Sequence, residues 1–281
     1  MKVVRSVQQM VKIASAWRRE GVDVAFVPTM GALHEGHLSL VRAAKKSHGR
    51  TVVSVFVNPM QFGPHEDFRQ YPRNFRKDAS LLSRTGVDVI FYPEVSDMFP
   101  DGFGTKVSVP GLSESLCGRF RPGHFDGVAT VVAKLFAIVR PTAAFFGQKD
   151  YQQCKVIERM TQDLNLGVKI RSMPIVREKD GLAMSSRNQY LSAGERARAA
   201  GIYRVLGRAR EAVQGGQGNA HILQAGARRQ LTRQGIRRID YVQIVDTDTL
   251  EPLSKVRSKA VMALAVWIGN TRLIDNMVLM P

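Results

Sequence analysis

Short apolar runs alternate along most of the chain with segments whose apolar residues return every three or four positions. Val22–Val27, Thr51–Val57, Asp88–Tyr92, Ala143–Phe146 and Val168–Val176 are rich in β-branched and aromatic residues. Such runs predict strands buried on both faces. Between them, Val7–Arg19 places Val7, Met10, Val11, Ala14 and Trp17 on one helical side. The stretch after Gly36 through about Lys46, Asp78–Arg84, Val128–Val139 and Tyr151–Met160 predict further helices. This alternation implies βαβ units and an α/β fold, a Rossmann-like doubly wound parallel sheet. Ligands of such sheets bind at the carboxyl ends of the strands, where Met30 and Asn58 fall. Lys106–Val109 predicts an edge strand, and the polar Gly63–Arg73 a flap or interface loop. Beyond Leu191 the composition turns to Ala/Arg-rich helices, Glu195–Ala212 and His221–Gln234. Three strands follow, Tyr241–Val245, Ala260–Val266 and Asn276–Leu279. The pattern predicts two domains, residues 1–176 and a smaller C-terminal α+β domain, residues 177–281.

Charge changes this picture little. The 281 residues carry 41 Lys and Arg against 24 Asp and Glu, a net charge of +17. Arginines concentrate in 196–238 without aromatic interleaving, which favours solvated helix faces over a nucleic-acid surface. A positive field also suits anionic small substrates. No apolar run reaches the roughly 20 residues that a membrane helix needs, and Lys2, Arg5 and Lys12 interrupt any secretory signal core. Cys117 and Cys154 fit a reducing compartment and lack metal-ligand spacing. These features predict a cytoplasmic protein with no membrane or nucleic-acid partner.

Candidate chemistry begins at Pro28-Thr29-Met30-Gly31-Ala32-Leu33-His34-Glu35-Gly36-His37, between a predicted strand and helix. That junction gathers unpaired N–H groups and the positive end of a helix dipole, an anion site. His34 and His37 lie three apart and share a face there. Asn58-Pro59-Met60-Gln61 places two amides at the sheet edge, able to donate to and accept from a hydroxy-acid. Arg121 and His124, before the Val128 helix, read as a second cationic site. Gly147-Gln148-Lys149-Asp150 repeats the strand–glycine–helix logic, with Lys149 able to reach phosphate, Asp150 to accept from ribose, and Gln153 on the same helical face. Met184-Ser185-Ser186-Arg187 forms a Gly-preceded loop whose hydroxyls and guanidinium can close over a triphosphate.

The His-x-Gly-His core resembles the phosphate-handling signature of nucleotidylyltransferases. Together with Phe56–Gly63, Arg121–Val132, Phe146–Gln153, Met184–Asn188, Asp240–Val242 and Thr271–Asn276, the chain resembles the pantothenate synthetase family. That resemblance implies a ligase of the coenzyme A pathway, condensing pantoate with β-alanine at the expense of ATP through an acyl adenylate. It implies catalysis by His37, with His34 and Lys149. ATP would also meet Met30 and Gly31, then Gly147, Asp150 and Val176, and finally Met184, Ser185, Ser186 and Arg187. Gln61 and Gln153, with Asn58, Arg121 and His124, would hold pantoate or β-alanine. Magnesium would arrive with ATP, the C-terminal domain would act as a lid, and the chain would form a homodimer through its N-terminal domain. Arg76-Lys77 before Asp78 departs from a more acidic run in the family, and no magnesium ligand is assigned. A nucleotidylyltransferase acting on a phosphorylated acceptor, and RNA binding by the C-terminal helices, are the competing readings.

Overall fold

Six parallel strands, in the order β1-β4-β3-β2-β5-β6, form the sheet of the first unit in this computed structural model. They are β1 (Lys2–Val4), β2 (Val24–Thr29), β3 (Arg50–Val55), β4 (Val89–Phe91), β5 (Ala143–Gly147) and β6 (Lys169–Met173). Between them run α1 (Val7–Arg19), α2 (Glu35–Ser47), α3 (Phe75–Arg84), α4 (Val95–Met98), α5 (Cys117–Phe120), α6 (His124–Val139) and α7 (Tyr151–Asp163). The structure describes residues 1–64 and 66–281, so residue 65 of the predicted flap lies outside the described residues. The chain divides into two units. One comprises Met1–Ser113, Arg121–Gln148 and Gln153–Pro174; the other comprises Glu114–Phe120, Lys149–Gln152 and Ile175–Pro281.

Strand alternation sorts the first unit's core. Ala25, Val27, Val53, Val55 and Phe145 meet Leu40, Val41, Ala44 and Leu82 from α2 and α3. Phe26 points the other way, its ring edge-on to Phe136 of α6 at 6.4 Å between centroids. Helices on both faces make the sheet doubly wound. From β2 the chain steps to β3 on one side and later to β5 on the other, so the carboxyl end of β2 is the switch point where ligands bind.

One local expectation fails here. Residues 106–109 form no strand: Val107 N–H donates to the Thr130 hydroxyl at 2.9 Å, and Lys106 and Ser108 hold Asp126. Side chains of α6 take the place of a ladder. β1 was not foreseen, because three residues paired only with β4 leave no periodic signal.

The second unit has an antiparallel sheet of β7 (Arg238–Asp246), β8 (Ala260–Ile268) and β9 (Thr271–Leu279). Helices α8 (Ala193–Ala199), α9 (Gly201–Gln214) and α10 (Ala220–Arg233) supply the apolar cover. The predicted Glu195–Ala212 helix is broken at Ala200. At Gly201 a Cβ would overlap the Gln234 amide, so that side chain would have to shift to admit one.

Candidate active site

The residues after β2 are fastened from three directions. The Thr29 hydroxyl donates to the Ser54 carbonyl at 2.7 Å and accepts from Gly31 N–H at 3.2 Å. Gly31 then turns at φ +82°, where a Cβ would lie 2.9 Å from Asp78 Oδ2. Ala32 follows in the left-handed region at φ +50°, a conformation that costs a residue with a Cβ about 1–2 kcal/mol. Asp78 of α3 compensates. Its Oδ2 accepts from Ala32 N–H at 2.9 Å and its Oδ1 from Leu33 N–H at 2.8 Å, with the residue 2% exposed. Burial pushes the Asp78 carboxyl above the ordinary aspartate range, against the pull of those two N–H groups and Lys77.

Helix α2 starts directly after this clamp. His34 N–H donates to His37 Nδ1 at 3.3 Å, and the two rings lie 4.1 Å apart between centroids. Because Nδ1 accepts, the neutral His37 ring carries its proton on Nε2, and the pair sits at the start of α2. Such a junction stabilises charge that develops on a phosphate.

A second group borders the first. Gln61 ends the short turn Pro59–Gln61, and its Nε2 lies 3.1 Å from Met30 Sδ. Asn58, 1% exposed, donates to Gln61 Oε1 and to the Gly127 carbonyl, both at 3.0 Å. Arg121 forks onto Glu66 at 2.7 and 2.5 Å. His124 Nδ1 meets the Gln61 carbonyl at 2.8 Å. At the expected second cationic site Glu66 pairs with Arg121, and Asn58, Arg121 and His124 hold the Gln61 turn. Burial raises the Glu66 carboxyl, but the Arg121 hydrogen bonds and charge outweigh it and hold the group below its ordinary value.

Within the second unit, Lys149 Nζ lies 3.6 Å from Asp150 Oδ1, and the Lys149 carbonyl accepts from Asn276 at 2.9 Å. The Val176 carbonyl accepts from Met184 N–H at 3.0 Å, and the Ser185 hydroxyl from Arg187 N–H at 3.3 Å. These bonds fold the Ser185–Arg187 loop back on its own strand entry. At the loop's base Arg177 forks onto Asp275, 3% exposed, at 2.7 and 2.9 Å. In the first unit, the Gly147 carbonyl faces Cys154 Sγ at 3.4 Å, and Gln153 is half-buried on α7.

Residues 2–278 match the family described as pantoate-beta-alanine ligase. The chain belongs to this family. A pantothenate synthetase from Caldicellulosiruptor bescii is 53% identical over 278 residues, covering 99% of each chain. Another from Thermotoga petrophila is 50% identical over 279 residues, with 99% of this chain and all of the relative covered. Among solved structures, a pantothenate synthetase from Thermus thermophilus superposes with a TM-score of 0.95 at 45% identity, with 100% of both chains covered. A pantoate-beta-alanine ligase from Francisella tularensis, complexed with beta-gamma ATP and beta-alanine, superposes with a TM-score of 0.83 at 33% identity over 99% and 97% of the two chains. The chain is thus a ligase of this family. No described helix is long and apolar enough to cross a membrane.

For this ligase the sequence reading missed the clamping role of Asp78 and the whole role of Glu66. Asp78 left a signal, since it shares an apolar helical face with Phe75 and Leu82 at three and four residues' spacing. A lone acid in such a stripe needs a buried partner. Glu66 left none, because it meets Arg121 across 55 residues of chain.

Proposed function

We propose that this ligase condenses pantoate with β-alanine, converting ATP to AMP and pyrophosphate through pantoyl adenylate. The observation that carries the reading is the His34–His37 pair at the sheet's switch point, its rings 4.1 Å apart between centroids, with Gln61 on the next strand's exit.

In the first step a pantoate carboxylate oxygen attacks the α-phosphorus of ATP. A P–O bond to pantoate forms, the α–β bridging P–O bond breaks, and pyrophosphate leaves with that electron pair. His37, His34 and the α2 N-terminus stabilise the charge accumulating on the phosphate oxygens. In the second step the β-alanine amine, as free base, attacks the acyl carbon. The C–O bond to AMP breaks, AMP leaves with the oxygen, and the nitrogen releases a proton. No covalent enzyme intermediate is needed, so positioning and charge stabilisation carry the rate.

Gln61 and Gln153 are assigned to pantoate. Met30, Gly31, Gly147, Lys149, Asp150, Val176, Met184, Ser185, Ser186 and Arg187 are assigned to ATP, Lys149 and Arg187 to its phosphates. The second unit acts as the lid in this reading. Magnesium would accompany the triphosphate and neutralise part of its charge. Among the described residues no group of three or more His, Cys, Asp or Glu side chains gathers to cage a metal. That donor set fits an ion carried by phosphate oxygens and water. Two copies pair through the first unit, which sedimentation of the full chain checks.

Exchange of labelled pyrophosphate into ATP tests the chemistry. Exchange that requires pantoate and proceeds without β-alanine supports the adenylate. Exchange that ignores pantoate and requires a phosphorylated acceptor makes the protein a nucleotidylyltransferase.

A further inference from the structure

We propose that Glu66 is a positioning residue for pantoate, setting the Gln61 amide through Arg121 and His124. The proposal rests on the reading that Gln61 holds the acid. A carboxylate in a polar loop ordinarily faces water, and nothing in the local sequence singles Glu66 out. Its place in the first unit gives it a distant consequence.

The chain of contacts has one direction. Glu66 takes the Arg121 fork, at 2.7 Å from Nε and 2.5 Å from Nη2. Arg121 Nη1 then lies 3.0 Å from His124 Nε2. A guanidinium has donors and no acceptor, so Nε2 must accept and carries no proton. The His124 proton is left on Nδ1, which donates to the Gln61 carbonyl at 2.8 Å. Arg121 Nη2 adds a longer bond of 3.3 Å to the same carbonyl. The Glu66 charge thereby fixes the Arg121 rotamer, the His124 tautomer and the last peptide of the Pro59–Gln61 turn.

Packing removes the slack that would let the turn move. A Cβ at Gly127 would overlap the Met60 carbonyl, so α6 sits against the turn's backbone. Asn58 fixes the side-chain end, donating to both Gln61 Oε1 and the Gly127 carbonyl. The Gln61 Nε2 is then aimed toward Met30 Sδ at 3.1 Å, on the loop that leads to the two histidines. Arg121 and Glu66 side chains are 15% and 25% exposed, a partly buried pair that keeps its geometry better than a surface pair. Arg121 and His124 thus act on the substrate through Gln61.

The test is steady-state pyrophosphate exchange with pantoate and ATP varied separately, on the full chain. Glu66→Gln keeps the side chain's volume and removes its charge. The expected result is a rise of about tenfold in KM for pantoate, with kcat within about threefold and KM for ATP unchanged, the signature of lost ground-state binding. Arg121→Met should give the same rise, and combining it with Glu66→Gln should add little, because both break one chain of contacts. Glu66→Asp, which keeps the charge, should recover part of the loss and serves if Glu66→Gln folds poorly. An unchanged KM for pantoate, or equal losses for ATP and pantoate, overturns the proposal. Gln61→Ala separates the two levels: if it leaves KM for pantoate unaltered, the assignment of Gln61 itself fails.

Discussion

The chain has two turns in the first unit that look alike in sequence and differ in chemistry. Both combine glycine, histidine and a following helix: Gly31 to His37 before α2, and Arg121 to Gly127 into α6. At the first, a carboxylate from α3 binds backbone N–H groups and leaves the histidine pair at the helix start. At the second, a carboxylate from the 63–73 loop binds the guanidinium itself, and the histidine bonds a neighbouring carbonyl. One acid prepares a turn to receive charge; the other cancels a charge to make a brace. Residue types and spacing cannot distinguish these outcomes, because in each case the deciding acid comes from a distant part of the chain.

Paired substitutions give the largest expected contrast. His37→Ala should lower kcat for pyrophosphate exchange by about 10²–10³, the scale for losing one donor to transition-state charge, with the fold retained and a stability loss of about 1 kcal/mol from the lost helix-start bond. His124→Ala should mainly raise KM for pantoate. If both variants changed the same parameter, the two turns would not be doing different work.

Asp78→Ala tests the clamp. It leaves the Ala32 and Leu33 N–H groups without their acceptor, at about 1–3 kcal/mol for each that stays dry. Asp78 borders a cavity of about 150 Å³ with Met30, Gly31 and Tyr92, so water can enter and the loss should fall toward the lower end. Denaturant unfolding measures the stability, and exchange should fall in parallel as the histidines lose their register.

Gly31→Ala should cost about 1–2 kcal/mol through its left-handed backbone and the close approach to Asp78. The same variant in an Asp78→Ala background should cost less, and a double-mutant cycle measures that coupling.

The smallest effect is on pH. The folded chain raises the Asp78 pKa, so the stability from this group is fully present below the unfolded pKa and is lost as pH rises through the folded value. Activity runs the opposite way, since the clamp needs two acceptor oxygens. Exchange should fall with acid at a pH above the ordinary aspartate range, and Asp78→Asn should remove that limb from the pH profile.

Much of the architecture was legible because it is written in local period. The runs at 22–27, 51–57 and 143–146 became β2, β3 and β5 with bounds shifted by one or two residues. His34 and His37 were legible as a pair because their contact lies within one helical turn. What stayed hidden is non-local. Lys106–Val109 alternates like a strand, yet α6 offers it side chains and no backbone partner. Ala200 interrupts a sequence that reads as one helix, where Gly201 passes against Gln234, 33 residues further along the chain. Arg121 looked like a free cation because its counter-ion lies 55 residues earlier in a polar loop.

The central claim is that a pantoate carboxylate oxygen becomes bonded to the α-phosphorus of ATP. Pantoate labelled with ¹⁸O in its carboxylate, turned over with ATP and β-alanine, tests it by mass spectrometry of the products. One labelled oxygen should appear in AMP, since the acyl carbon gives up that oxygen when the amine attacks. Unlabelled AMP, with the label in phosphate or pyrophosphate, would place the attack on another phosphorus and contradict the account.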